Sequence, residues 1–137
     1  MSLREKKLQL IEELKYIEDP TERFTYIIDR AKEKPPLDPA FHLDLFQIEG
    51  CLSKLWLYPE YKEGKCHFSS DADAVITKGV AALLCDLYDN TTPAEILEED
   101  ASFLKEVGIT QHLSPNRRNG LTNLTKRIQD FARHCLA

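Results

Sequence analysis

Leu10, Ile11, Leu14 and Ile17 recur at helical spacing among lysines and glutamates, so the chain opens on an amphipathic helix. Asp19, Pro20 and Glu22 read as an N-cap, a first-turn proline and a capping-box acid. Phe24, Ile27, Ile28 and Ala31 follow at i, i+3, i+4 and i+7, which predicts a second helix. Pro35, Pro36 and Pro39 forbid its continuation and predict a stiff extended connection between two parts of one domain.

Beyond the prolines the period changes. Residues 43–49, 54–59 and 65–70 alternate aromatic or aliphatic with polar positions and predict three strands of an antiparallel meander. The polar stretch 61–64, with Gly64, is the hairpin loop between the second and third. Gly50, Cys51 and Leu52 form the shorter connection between the first and second, which puts Cys51 on a tight turn at the end of the sheet.

From Ser70 the pattern is helical again. Ile76, Gly79, Val80, Leu83, Leu84 and Leu87 fall on one face and Ala74, Ala81 and Cys85 on the other, which predicts a helix buried on two sides. Gly79 on the apolar face marks a close approach to the sheet. Thr92, Pro93 and Glu95 open a short capped helix, Gly108 closes another, and Ser114 with Pro115 starts the last. The apolar positions of that last helix are Leu121, Leu124, Ile128, Phe131, Ala132 and Cys135. The pattern predicts one α+β domain over residues 1–137, with helices packed on a small three-stranded antiparallel sheet.

Composition narrows the function classes. With 42% hydrophobic and 30% charged residues, the 137-residue chain can bury a core. Its 18 Lys+Arg against 23 Asp+Glu give a net charge of −5, so no whole-chain field favours nucleic acid or anionic lipid as a partner. No apolar run approaches the ~20 residues a membrane span needs, and residues 1–10 resemble neither a signal nor a transit peptide. A cytoplasmic, reducing location is the expectation.

The four cysteines, Cys51, Cys66, Cys85 and Cys135, contain no close pair of the kind zinc sites or redox motifs use. Cys135 lies on the apolar face of the last helix, Cys85 on the small-residue face of the central one, and Cys66 in phase with Phe68, so all three are expected to pack. Cys51 differs, because a turn at a strand end next to Gly50 presents a side chain rigidly and accessibly, as a nucleophile requires. Lys54 is near enough in sequence to favour the thiolate. The competing reading, a soft-metal site from Cys51, Cys66 and His67, matches no closed zinc spacing. His42, His67, His112 and His134 show no nucleophile-base spacing and are read as surface or core residues. Arg117 and Arg118 fall in the first turn of a helix, where cations oppose the macrodipole; they either reach solvent or a carboxylate, or dock on a partner surface.

Phe46, Ile48, Gly50, Cys51, Ser53, Trp56 and Leu57 form a strand running into Gly-Cys-x-Ser-x-x-Trp, and this block resembles the motif of the SufE family. Ser70, Asp71, Asp73, Ala74, Ile76, Gly79, Ala82 and Leu83 resemble the helical block after the hairpin. His112, Leu113, Ser114, Pro115, Arg117, Asn119, Gly120 and Leu121 resemble its Leu-Ser-Pro-x-Arg-x-Asn-Gly-Leu element.

The resemblance implies a SufE/IscU-like fold and a sulfur acceptor. Cys51 would take persulfide sulfur from a SufS-like, PLP-dependent cysteine desulfurase, stimulate that enzyme by clearing its persulfide, and relay sulfur to a SufBCD-like cluster-assembly scaffold. It implies a carrier and activator rather than a stand-alone enzyme, with no cofactor or metal of its own. Gly50, Ser53 and Arg117 would contact the desulfurase, and Arg118 is not covered by the match. Leu52 and Lys54 stand where many members have glutamines, which bears on partner choice. An acceptor for a second desulfurase pathway, a desulfurase-binding module that carries no sulfur, and a cluster scaffold are the alternatives.

Overall fold

A computed structural model describes residues 2–35, 37–50 and 53–136. Cys51, Leu52 and Pro36, to which the sequence pattern assigns a turn and part of a stiff connection, lie outside the described residues. The first two helices are α1, Leu3–Tyr16, and α2, Pro20–Lys32. Ser2 Oγ accepts from the Glu5 amide at 3.1 Å, and the Asp19 carboxylate accepts from the Thr21 amide at 2.9 Å, so each helix starts where a short polar side chain satisfies a free N–H.

Among the described residues the sheet has two strands, β1 (Leu55–Lys62) and β2 (Lys65–Ala72), paired antiparallel from Leu55↔Ala72 to Lys62↔Lys65. The hairpin between them turns on two residues, Glu63 and Gly64, both at positive φ (53° and 80°), a geometry whose twist matches the flanking strands. The third strand expected over residues 43–49 is absent. Leu43 and Leu45 are 50% and 74% exposed, and of this segment's apolar side chains only Phe46 and Ile48 turn inward, so the alternation does not carry a strand along its length. The segment instead forms 3₁₀ turns at Pro39–Phe41 and Asp44–Phe46. These stack Phe41 on Tyr58 (ring centroids 4.0 Å apart) and set Phe46 edge-on to the same ring (5.1 Å). What survives of the predicted pairing is one antiparallel bridge, Gln47↔Trp56, and the Ile48 N–H donating to Leu55 O at 2.7 Å.

The central helix α3 spans Val75–Tyr88 and starts later than the sequence suggests, because residues 70–72 continue the pairing with β1. It buries Val80, Ala81, Leu83, Leu84, Cys85, Leu87 and Tyr88, packing β2 on one side and α2 on another. The close approach at Gly79 is to α2 and not to the sheet: a Cβ there would lie 3.3 Å from side-chain carbons of Ile27 and Ile28. Thr92 and Glu95 form a reciprocal capping box at the start of α4, Pro93–Glu98. A short α5, Phe103–Glu106, is followed by Gly108 at φ 79°. The long α6, Pro115–Leu136, packs Leu121, Leu124, Ile128 and Ala132 into the core against α3, α4 and β1. No helix among the described residues is long and apolar enough to cross a membrane.

Candidate functional site

Cys51 belongs to the six residues between Ile48 and Leu55, whose backbone hydrogen bond closes the neck of a loop. On the far side of the neck, Lys54 O accepts from the Asp73 amide at 3.0 Å, so the return into β1 is tied to the end of β2. Ser53 is half-buried at a bend just before β1, and Lys54 is exposed. Cys51 itself and Leu52 lie outside the described residues.

The approach to the loop rests on α6. Asn123 Nδ2 donates to Glu49 O at 2.7 Å, and the Arg127 guanidinium donates to Leu45 O at 3.4 Å and Gln47 O at 3.3 Å. Gly50 follows at φ 88°, a left-handed conformation that disfavours any other L residue. A Cβ at Gly50 would also collide with the Asn123 amide. The glycine that the sequence assigns to a tight turn is therefore needed twice, for the backbone and for contact with α6.

Arg117 is half-buried in the first turn of α6, where Ser114 Oγ accepts from its backbone amide at 3.4 Å. Its guanidinium makes no ion pair or hydrogen bond with the described residues. Ser114 O accepts from the Arg118 amide at 3.0 Å. Gly50 thus sits against Asn119 and Asn123 of the helix whose first turn carries Arg117. Asn123 and Arg127 are missing from the sequence reading. The signal for them is a polar stripe, Asn119, Asn123 and Arg127 at i, i+4 and i+8, beside the apolar Leu121, Leu124 and Ile128.

His42 is a second feature that spacing does not reveal. Its Nε2 is 2.8 Å from Asp71 Oδ2 and its ring stacks on Trp56 at 4.4 Å. Trp56 and Asp71 are cross-strand partners, so one residue of the 3₁₀ segment grips both members of a pair in the hairpin. Lys78 Nζ adds a 3.3 Å contact to the other oxygen of Asp71.

The described cysteines have the surroundings expected of packing residues. Cys66 is fully buried, with its backbone pairing to Asn90 and Thr91; burial, helped by Cys135 beside it, pushes its thiol up to about 12. Burial likewise pushes the Cys85 thiol up to about 12. Cys135 is half-buried. Of the residues in the soft-metal alternative, Cys51 lies outside the described residues. Cys66 and His67 are neighbours in a strand and point to opposite faces, His67 Nδ1 lies 3.4 Å from Asp89, and no cluster among the described residues could hold a metal ion.

The fold is shared with a solved protein, the solution structure of a hypothetical protein from Thermus thermophilus, at a TM-score of 0.80 and 23% identity over 96% of each chain. Among named relatives, the cysteine desulfuration protein SufE of Wigglesworthia glossinidia brevipalpis is 30% identical over 96% of this chain and 92% of its own. The SufE-like protein 1, chloroplastic/mitochondrial, of Arabidopsis thaliana is 35% identical over 93% of this chain, which spans only 35% of that longer protein. An uncharacterized SufE-like protein of Synechocystis is 28% identical over 90% of this chain and 78% of its own. The family model for the SufE, Fe-S metabolism associated domain matches residues 8–132, and with 30% identity to a SufE protein along nearly its whole length, the chain belongs to the SufE family.

Proposed function

We propose that the protein is a sulfur acceptor for a cysteine desulfurase and that Cys51 carries the sulfur. Family membership supports a role in sulfur transfer for Fe-S metabolism. The assignment to Cys51 is supported by its place in the Gly-Cys-x-Ser-x-x-Trp motif, by the burial that makes the Cys66 and Cys85 thiols hard to ionise, and by the described residues around it, since Glu49 is tied to α6 and Ile48 to Leu55 of β1.

The step is a redox-neutral exchange of sulfur. The Cys51 thiolate attacks the outer sulfur of the desulfurase's Cys–S–SH. A new S–S bond forms at Cys51 as the bond in the enzyme breaks, and the enzyme's cysteine leaves as a thiolate. The proton stays on the transferred sulfur, so the products are Cys51–S–SH and a desulfurase ready for another turnover. Clearing the persulfide is how the acceptor stimulates its partner. The PLP belongs to that partner, which we take to be SufS-like, and a SufBCD-like scaffold is the proposed recipient of the sulfur. Arg117, whose guanidinium has no partner among the described residues, is suited to an acidic or carbonyl-rich surface on the desulfurase, with Gly50 and Ser53 flanking the reacting sulfur. A reducing compartment such as the cytoplasm suits a free persulfide carrier.

Incubation with a cysteine desulfurase, PLP and cysteine should add one sulfur atom at Cys51, seen by intact mass and removed by reductant. No adduct, or an equal adduct in Cys51→Ser, would falsify the carrier assignment. Cys51→Ala should fail to stimulate the desulfurase; full stimulation would instead make the chain a binding module. Arg117→Ala should bind the desulfurase about tenfold more weakly with an unchanged melting temperature, the loss expected of one charged hydrogen-bonding contact at an interface.

A further inference from the structure

Carbonyl oxygens two residues apart in an extended chain point the same way and are separated by about 6.6 Å. Side chains four residues apart on a helix are about 6 Å apart along its axis and on the same face. The two spacings match where the chain approaches Cys51. Asn123 takes Glu49 O, and Arg127, one turn further along, takes Gln47 O and reaches Leu45 O with its other nitrogen, so the segment runs antiparallel to α6. The Ile48 N–H, in the same trans peptide unit as Gln47 O, donates to Leu55 O, so that unit turns its carbonyl away from β1 and toward α6. Gly50, the next residue after the pair, has no Cβ to push the Asn123 amide away.

From this register we propose that Asn123 and Arg127 are positioning residues for sulfur acceptance. They fix the main chain leading into Cys51 on a rigid helix, so that the thiol meets the partner's persulfide from a set origin. The inference rests on the carrier reading above and adds two residues to it. Asn123 is the stronger anchor, since its bond is short while those of Arg127 are at the long limit. Both side chains are half-exposed and none of their bonds lies in the core, so their removal leaves Leu121, Leu124 and Ile128 packed as before.

The test uses the full chain and the isosteric Asn123→Asp, which keeps the shape and removes the donor. Single-turnover sulfur arrival at Cys51, measured by mass at saturating desulfurase, should slow at least about tenfold, the scale on which small misplacements of a reacting group act. Affinity for the desulfurase should stay within about twofold, and amide exchange of Ile48 should rise. Arg127→Ala should show a smaller slowing, with Arg127→Lys recovering part of it. Unchanged transfer in Asn123→Asp overturns the proposal, whether or not exchange rises, since an anchor without effect on transfer only stabilises the segment. Equal losses of affinity and rate overturn it as well, placing Asn123 in the docking surface. If the unsubstituted chain takes up no sulfur, the carrier reading falls first and the positioning role with it, a result seen before any substitution is made.

Discussion

The hairpin with α3 and the segment that leads into Cys51 are neighbours built on opposite principles. Leu55, Leu57, Cys66, Leu84 and Tyr88 are at or near zero exposure, and what holds them is apolar burial that is indifferent to direction. Residues 45–50 expose Leu45 and send only Ile48 into the core, and most of their ties are directional: backbone bonds to β1 and hydrogen bonds from half-exposed α6 side chains to particular carbonyl oxygens. The difference shows in the thiols. At a pKa of about 12 the Cys66 and Cys85 side chains are almost wholly protonated near neutral pH, so the apolar region silences sulfur as a consequence of its stability. A reacting thiol has to stand outside such a region, and directional bonds then take over the task of keeping it in place.

The comparison breaks hardest in the core. Leu84→Ala removes a fully buried side chain and should cost about 2 to 5 kcal/mol, lowering the melting temperature by roughly 10 °C or more. Sulfur uptake per folded molecule should stay as it was, measured by mass well below the transition. A proportionate fall in uptake at full folding would show that the two regions are not separable.

Substitution at the silent thiols comes next. Cys66→Ser places a hydroxyl in a fully buried site and should cost about 1 to 3 kcal/mol, more than Cys66→Ala, while both still accept sulfur at Cys51. Loss of the adduct in either would bring Cys66 into the chemistry. Gly50→Ala probes the other region. A left-handed conformation costs an L residue about 1 to 2 kcal/mol, and the new methyl group meets the Asn123 amide. Combining it with Asn123→Ala should cost less than the sum of the two single changes, because the collision is gone while the backbone cost and the lost bond to Glu49 O remain. Strict additivity in this double-mutant cycle would mean that the glycine and the amide do not share space.

Most of the helices were legible because their signals are local. Ser114 with Pro115, and Thr92 with Glu95, satisfy N–H groups within one turn, and apolar spacing supplies the buried face of α3 and α6. Residues 43–49 misled because alternation reports only that side chains point two ways, and it takes a partner surface to make one of those ways apolar. Gly79 carried the right message, a close approach, with the wrong neighbour, since periodicity does not say which element lies across a face. The glycine next to Cys51 was legible as a turn residue. Its second role was not, because Asn123 is 73 positions away and looks like any polar residue on a helix surface.

The smallest effect belongs to a polar tie on the apolar side. The Leu3 N–H donates to Glu95 Oε2 at 2.9 Å, while Glu95 Oε1 closes the capping box on Thr92, so one carboxylate ties the start of α1 to the start of α4. The Leu3 amide, more than the bonds from Thr92, holds the Glu95 carboxyl below the ordinary glutamate range against the opposing pull of burial. A depressed folded-state pKa adds stability above the unfolded value of about 4.3 and loses it as the pH falls through that value and then through the folded one. Glu95→Gln should therefore cost roughly 1 kcal/mol near neutral pH. The gap between the two melting curves should narrow below about pH 4, where the wild-type carboxyl takes up its proton. A gap that stays constant from neutral pH down to about pH 3 would mean that Glu95 acts through shape alone, and transfer to Cys51 should be untouched in either case, since this bond lies on the side of the molecule that sets stability and not aim.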